Sequence, residues 1–142
     1  MTVLVDTGVL YAFLNRDDAR HADGEWLLPR IVEGYYGQPI VIDLVVAELF
    51  NLIRRWALGR AIEEAAESML FEPEGERPKL VRSCVEVSDL RPIAALWREN
   101  HRTGLSYTDA ALVFLREALE LDAIATFDRG IAAVAPVLHV ER

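Results

Sequence analysis

Short apolar runs alternate along the chain with longer segments in which apolar residues recur every three or four positions. Short apolar runs are typical of strands buried on both faces, and the longer period is typical of helices packed on a core. The predicted strands are residues 3–5, 39–42, 80–87, 122–126 and 137–140. The predicted helices are residues 9–15, 21–36, 44–58, 61–70, 91–101 and 106–120, with a short one after Asp128.

Turn and cap signals place the ends of several elements. Asp43 is expected to cap the helix that begins at Leu44, and Gly59 is expected to close it. Two prolines, one glycine and five charged residues predict an exposed loop at residues 71–79. Strands that alternate with helices predict an α/β fold, a three-layer sandwich with a central, mainly parallel sheet flanked by helices. Ligands of such sheets bind outside the carboxyl ends of the strands.

Composition predicts a single soluble domain over residues 1–142. The chain is 52% hydrophobic and 27% charged, which suffices for one core and a hydrated surface. No apolar run approaches the roughly 20 residues of a membrane-spanning helix, and the N-terminus lacks the features of a secretory signal. Cys84 is the sole cysteine, which excludes an intrachain disulfide and a thiolate metal cage. We expect a cytoplasmic protein with no membrane association.

Net charge leaves two interpretations open. Fifteen basic residues against 23 acidic ones give a formal charge of −8, whereas proteins that bind phosphates are usually basic. The acidic excess fits an enzyme without a polyanionic partner. It also fits a protein whose carboxylates surround a metal ion, because the ion reverses the local charge.

Four acidic residues stand out by their positions. Asp6 and Asp128 directly follow predicted strands, at the end of the sheet where ligands bind. Glu48 and Asp109 lie in helical segments whose neighbours are apolar. Each has a purely structural explanation. Asp6 and Asp128 are good helix caps, Asp109 forms a capping box with Ser106, and Glu48 fits the hydrated stripe of an amphipathic helix.

Together the four acids are harder to explain by structure alone. A carboxylate is rarely buried without a partner, and no Lys or Arg lies next to Asp6, Glu48 or Asp109 in the sequence. Several unpaired carboxylates in one cleft repel each other unless some are protonated. A divalent ion removes that conflict, and Mg²⁺ and Mn²⁺ prefer oxygen ligands.

The segments that carry these acids resemble, in the same order, the motifs of the PIN-domain family, and within it the small toxins of the VapC type. Four motifs in order are a more specific signal than any one of them. The matching segments are Val3-Leu4-Val5-Asp6-Thr7, Ala47-Glu48-Leu49, Leu105-Ser106-Tyr107-Thr108-Asp109-Ala110 and Ala125-Thr126-Phe127-Asp128.

This resemblance implies a PIN-like fold and a Mg²⁺- or Mn²⁺-dependent endoribonuclease. The catalytic and metal-holding residues that it implies are Asp6, Glu48, Asp109 and Asp128. Hydroxyl positions of the family match Thr7 and Thr126. RNA is then the substrate, a small antitoxin protein is a partner, and a homodimer is expected. Asp6→Asn is expected to abolish cleavage and leave the fold intact.

Three other functions compete with this one. An RNA-processing nuclease outside a toxin–antitoxin pair keeps the chemistry, and a non-catalytic PIN-like binding module keeps only the fold. A phospho-accepting receiver domain also has an acidic magnesium pocket in an α/β fold. It requires a lysine beside that pocket, and Lys79, the sole lysine, lies in a predicted loop.

The remaining polar and aromatic residues give weaker signals. The histidines His21, His101 and His139 share no metal-ligand spacing, and Cys84 is expected in the core. The aromatic residues are expected either to pack on helices or to line a groove for a partner peptide; they include Trp26, Trp56 and Trp97. Four arginines are expected either to bind RNA phosphates or to form a solvent-exposed face: Arg54, Arg55, Arg60 and Arg129.

Overall fold

The computed structural model describes residues 1–140 as seven helices and four strands. The strands are β1 (Thr2–Val5), β2 (Gln38–Ile42), β3 (Val81–Ser83) and β4 (Ala123–Ala125). The helices are α1 (Thr7–Leu14), α2 (His21–Val32), α3 (Asp43–Arg55), α4 (Arg60–Leu70), α5 (Leu90–Glu99), α6 (Tyr107–Ala118) and α7 (Arg129–Ala132). Two 3₁₀ turns cover Val87–Asp89 and His101–Thr103.

The four strands form one sheet in the order β3-β2-β1-β4, and every pairing is parallel. Leu4 of β1 is in register with Ile40 on one side and Ile124 on the other. The predicted parallel sheet is therefore confirmed. Strand order reverses beside β1, because β2 lies on one side of it and β4 on the other. The carboxyl ends of β1 and β4 thus flank the point where α/β sheets bind ligands.

Apolar side chains hold the sheet between its helices. Val3, Leu4 and Val5 of β1 are completely buried, as expected for a central parallel strand. Helix α1 packs against α2 and α3, whereas α6 packs against α5 and β4. Burial of β1 from both sides leaves only its ends accessible, and so fixes where a site on this strand can lie. Within residues 1–140, no helix has the length and apolar character required to cross a membrane.

The last predicted strand, residues 137–140, is wrong. This segment runs beside β4 but forms only an isolated parallel bridge between Val137 and Ile124. Two hydrogen bonds hold it there, from the Ile124 amide to the Pro136 carbonyl and from the Leu138 amide to the Ile124 carbonyl. Ile124, the middle residue of β4, is therefore the one through which β4 pairs with this segment in the described part of the chain.

The strand predicted at residues 80–87 is also too long, and Cys84 is exposed rather than in the core. β3 is the edge of the sheet and ends at Ser83, so Cys84 lies beyond the part that pairs with β2. Asp43 has a different role from the predicted one. It is the first residue of α3, and its Oδ1 accepts a hydrogen bond of 3.0 Å from the Val85 amide, which ties the chain after β3 to α3.

Helix boundaries differ from the predicted ones at glycines. Helix α2 ends at Val32 instead of residue 36, because Gly34 adopts a left-handed φ of 81°. Helix α3 ends at Arg55, and Gly59, with a φ of 95°, precedes α4 rather than closing α3. The loop predicted at residues 71–79 is confirmed, since it contains no helix or strand.

Candidate active site

Asp6 is held rigidly at the carboxyl end of β1. Its amide donates to the Ala125 carbonyl of β4 at 2.9 Å, and its side chain is only 5% exposed. Oδ1 accepts a hydrogen bond from the Thr7 amide at 2.7 Å and so caps α1. Oδ2 accepts one from the Thr126 hydroxyl, also at 2.7 Å. The cap predicted from the sequence is therefore present, but it uses only one carboxylate oxygen.

Burial raises the pKa of Asp6 to about 7, because the ionised carboxylate loses hydration. The hydrogen bonds from Thr126 and Thr7 oppose this shift by stabilising the charged form, and the negative charges of Asp109 and Glu48 add to it. Within residues 1–140, no Arg or Lys forms an ion pair with Asp6. A buried carboxylate without a cation is an unusual and costly arrangement.

Thr126 links Asp6 to Asp128. Its buried hydroxyl donates to Asp6 Oδ2 and accepts a hydrogen bond of 3.0 Å from the Asp128 amide. Asp128 is the N-cap of α7, and its Oδ1 accepts from the Ile131 amide at 2.9 Å. The second oxygen of Asp128 has no protein hydrogen-bond partner in the described part of the chain. One threonine therefore fixes the relative positions of two of the predicted site residues.

Gly130 allows Asp128 this position, which the sequence analysis did not foresee. A Cβ at residue 130 would lie 2.9 Å from Asp128 Oδ1 and 2.9 Å from the Thr103 carbonyl oxygen. Backbone on one side and the capping carboxylate on the other leave no room for a side chain. The Asp128-Arg129-Gly130 sequence carries the only signal of this constraint, a glycine two residues after a capping aspartate.

Asp109 lies in the first turn of α6 and is half-buried. Its Oδ2 accepts from the Ser106 amide at 3.0 Å, while the Asp109 amide donates to the Ser106 hydroxyl at 3.1 Å. The predicted capping box is thus present. Burial nevertheless raises the pKa of Asp109 above its usual value, and the charges of Asp128 and Glu48 add to the effect, against the opposing hydrogen bonds of Ser106.

Glu48 is half-buried on α3, and its carboxylate makes no hydrogen bond or ion pair with described residues. It lines a cleft of about 520 Å³. Residues at a helical spacing on α3 form one wall of this cleft, and Thr108 of α6 lies opposite. The other lining residues are Leu44, Ala47, Asn51, Leu52 and Arg55.

The fold brings the four acids within electrostatic range of each other. The negative charges of Asp109 and Glu48 raise the pKa of Asp6, and those of Glu48 and Asp128 raise the pKa of Asp109. The cluster is open, however. Among residues 1–140, no three Asp, Glu, His or Cys side chains are close enough to hold one ion directly.

The donor set of the cluster nevertheless suits a hard divalent ion that keeps part of its water shell. All of the donors are oxygens. In addition, the buried Thr7 hydroxyl beside Asp6 has no hydrogen-bond partner, and a buried polar group without a partner calls for an explanation. A hydrated Mg²⁺ or Mn²⁺ provides one, because its water ligands can bond to hydroxyls as well as to carboxylates.

The structure separates the arginines near Glu48. Arg54 pairs with Glu63 at 3.2 Å and Arg60 pairs with Glu64 at 2.9 Å, so both face carboxylates of α4. Arg55 and Arg129 have no ion pair with any residue that the structure describes. Of residues 54, 55 and 60, all expected to bind RNA phosphates or to be solvated, only Arg55 therefore lacks an ion pair among the described residues.

Within residues 1–140, no histidine or tryptophan hydrogen-bonds to the four acids, although the exposed His139 lines a cavity with Thr126 and Asp128. His21 Nδ1 is 2.6 Å from the Ala12 carbonyl oxygen, a contact that joins α2 to α1, and His101 is exposed. Trp26 is half-buried with the Arg30 guanidinium 4.1 Å from its ring. Packing is not the main environment of the other two tryptophans, since Trp56 is 61% exposed and Trp97 is 47% exposed.

Comparison with known proteins identifies relatives of this chain. Residues 3–136 match the PIN domain. A VapC ribonuclease of Archaeoglobus fulgidus is 27% identical over 126 residues, which are 87% of this chain and 76% of that protein.

Two solved structures also resemble it. VapC20 of Mycobacterium tuberculosis, a toxin that cleaves the sarcin–ricin loop, matches with a TM-score of 0.74 and 20% identity over 92% of this chain and 93% of its own. PAE2754 of Pyrobaculum aerophilum matches with a TM-score of 0.57 and 20% identity over 94% of this chain and 86% of its own. At that identity the likeness concerns the fold alone, and it confirms the predicted fold class.

Proposed function

This chain belongs to the PIN-domain family, and on that premise we propose that it is a metal-dependent endoribonuclease. It hydrolyses RNA phosphodiester bonds with Mg²⁺ or Mn²⁺ as the toxin of a VapBC-type toxin–antitoxin pair. The observation that carries this proposal is the state of Asp6. Asp6 is a buried carboxylate that forms no ion pair with an Arg or Lys among residues 1–140. The negative charges of Glu48 and Asp109 act on it, and the Thr7 hydroxyl beside it has no hydrogen-bond partner among those residues.

A bound metal ion would offset the negative charge of the acids, which no described cation of the protein offsets. Two carboxyls, those of Asp6 and Asp109, have raised pKa values because burial and neighbouring negative charges disfavour ionisation. Glu72, an acid with a structural role, has its charge offset by Arg82. Asp6 has no such partner among residues 1–140, so a divalent ion is the cation that fits.

Each acid has a distinct task in this proposal. Asp6, Glu48 and Asp109 would hold a hydrated ion, in part through its water ligands, and Asp128 would bind it directly or through a water molecule. Thr126 keeps the Asp6 carboxylate in one orientation, since its hydroxyl bonds both Oδ2 and the Asp128 amide. The Thr7 hydroxyl beside Asp6 is buried and makes no hydrogen bond within residues 1–140.

A bound ion would supply an activated water and would stabilise the charge on the leaving oxygen. The protein contributes orientation, because three of the four acids sit on rigid positions at strand ends or helix N-termini. It also limits hydration of Asp6, which strengthens electrostatic interactions there.

The toxin assignment rests on the similarity to the VapC ribonuclease of Archaeoglobus fulgidus and on the fold shared with VapC20. We extend it to three further properties. Residues 1–142 form one domain, the chain assembles as a homodimer, and a small antitoxin protein binds it. An RNA substrate places this enzyme in the cytoplasm.

Cleavage of a mixed single-stranded RNA by the purified chain tests the proposal. The unmodified chain is expected to cut with Mg²⁺ or Mn²⁺ and to stop with EDTA. Asp6→Asn is expected to be inactive while keeping the far-UV circular dichroism of the parent. Full activity of that variant, or cleavage that persists in EDTA, would refute the assignment.

A chain that cuts nothing requires a second measurement, because a narrow choice of RNA and a non-catalytic module give the same negative result. Titration with Mn²⁺ in a calorimeter separates them. Binding without cleavage indicates a narrow substrate choice, whereas absence of binding indicates a binding module.

A further inference from the structure

One face of α3 continues from the acidic cluster into the cleft beside Glu48. Glu48 and Arg55 are seven residues apart, which is two helical turns, so they lie on the same face roughly 10 Å apart along the axis. Asn51 lies between them on the cleft wall. The cleft therefore leads away from the proposed site of cleavage, with Arg55 at its far end.

Charge differs sharply between the two neighbouring arginines of this helix. Arg54 does not line this cleft but a neighbouring one that shares Asn51, and the Glu63 carboxylate of α4 offsets its charge. Arg55 lines the cleft and has no carboxylate partner in the described part of the chain. Its guanidinium lies 5.8 Å from the centroid of the exposed Trp56 ring. Arg55 is exposed, so its charge is available to an anionic ligand that enters the cleft.

The rest of the lining suits a nucleobase. Leu44 and Leu52 provide an apolar wall, whereas Asn51 and Thr108 offer an amide and a hydroxyl that make no hydrogen bond within residues 1–140. An amide is both donor and acceptor, as is needed to bond a base edge. Such edges are free in single strands but occupied in duplexes.

We propose that this cleft binds the nucleotide adjoining the scissile phosphate of a single-stranded RNA. Arg55 contacts the phosphate, Leu44 and Leu52 contact the base, and Asn51 and Thr108 bond its edge. The inference rests on the proposed function and extends it by assigning a substrate-binding subsite. Arg55 is then a binding residue, and the ion-paired Arg54 is not.

Binding of a fluorescent single-stranded RNA in EDTA, followed by anisotropy at several salt concentrations, tests this subsite. EDTA prevents cleavage, so binding is measured without mutating the acids. Arg55→Ala is expected to weaken binding roughly tenfold, as for loss of one charge-assisted contact. It should also reduce the salt slope by about 0.7, the value for one phosphate of a single strand.

Arg54→Ala is the matched control, because it removes the same charge from the adjacent residue. It is expected to leave affinity and salt slope within twofold of the parent. Arg55→Lys is expected to keep the salt slope but to recover only part of the affinity, since lysine lacks the two-pronged geometry of arginine. Equal loss in Arg54→Ala and Arg55→Ala overturns the proposal, as does absence of RNA binding by the parent chain.

Cleavage by the same proteins with Mn²⁺ separates this inference from the proposed function. If the parent cuts RNA but Arg55→Ala binds like Arg54→Ala, the subsite assignment alone fails. If RNA binds through Arg55 but no protein cuts it and none binds Mn²⁺ in the calorimeter, the proposed function fails and the subsite stands. With both correct, Arg55→Ala raises KM about tenfold and leaves kcat near that of the parent.

Discussion

Glu72 after α4 and Asp6 after β1 are carboxylates in opposite environments. Both oxygens of Glu72 accept hydrogen bonds from Arg82, at 2.7 and 2.8 Å, and these bonds lower its pKa to about 2. Asp6 is buried, accepts only from a hydroxyl and an amide, and has a pKa raised to about 7. The charge of Glu72 is offset by Arg82, whereas no Arg or Lys among residues 1–140 pairs with Asp6.

This difference separates acids that maintain the fold from acids that are available for chemistry. Arg82 also donates to the Leu70 carbonyl at the end of α4 and lies over the Phe71 ring, so Glu72 belongs to a network that fixes the chain between α4 and β3. Asp6 destabilises the folded chain when ionised, and retains its position only because β1, β4 and Thr126 hold it. We interpret its cost in stability as the price of a metal site.

Substitution of one acid from each region should give the largest contrast. Asp109→Asn keeps the size of the side chain and one acceptor oxygen for the Ser106 amide, but removes the charge. We expect RNA cleavage to fall by on the order of 100-fold or more, as for loss of a residue that holds a metal or its water. Glu72→Gln is expected to cleave within twofold of the parent. The contrast is lost if both variants retain activity, or if both lose it.

The pH dependence of stability should differ in sign between the two regions. Because the pKa of Asp6 is about 7 in the folded chain and about 3.8 in the unfolded one, its contribution is most favourable below pH 3.8. That contribution falls as pH rises towards 7, and the cost is fully present above pH 7. The pKa of Glu72 is lowered instead, so its contribution is present above pH 4.5 and lost as pH falls towards 2.

Denaturant unfolding in EDTA, from pH 4 to pH 8, measures these contributions. The stability of Asp6→Asn relative to the parent should increase by roughly 4 kcal/mol over that interval, from the pKa difference. An asparagine cannot accept from both the Thr7 amide and the Thr126 hydroxyl, and this loss lowers the stability of the variant by the same amount at every pH. Glu72→Gln should show a smaller loss of stability, greatest above pH 4.5 and reduced by high salt. A difference between Asp6→Asn and the parent that does not change with pH contradicts the pKa assignment.

The sequence predicts the parts of this molecule that depend on local pattern. Apolar runs between helical segments predict the parallel sheet, and the acids directly after two of those runs place Asp6 and Asp128 at its carboxyl end. The capping box of Ser106 and Asp109 is likewise visible in the sequence, because it involves residues three positions apart.

Features that depend on distant contacts could not be predicted in this way. The pattern of residues 137–140 predicts a strand, but in the described part of the chain they pair with β4 at one bridge only. Arg54 and Arg55 are adjacent in the sequence, and only the position of Glu63 on α4 distinguishes their roles. The need for glycine at residue 130 arises from the Thr103 carbonyl, 27 positions earlier in the chain.

Calorimetric titration of the metal-free chain with Mn²⁺ measures directly whether the unpaired acids bind a divalent ion, on which the proposed function depends. The parent and Glu72→Gln are expected to bind with similar affinity. Asp6→Asn is expected to bind on the order of 100-fold more weakly or without measurable heat. Equal binding of Mn²⁺ by Asp6→Asn and the parent, or no binding by the parent, would contradict the assignment of a metal site to Asp6.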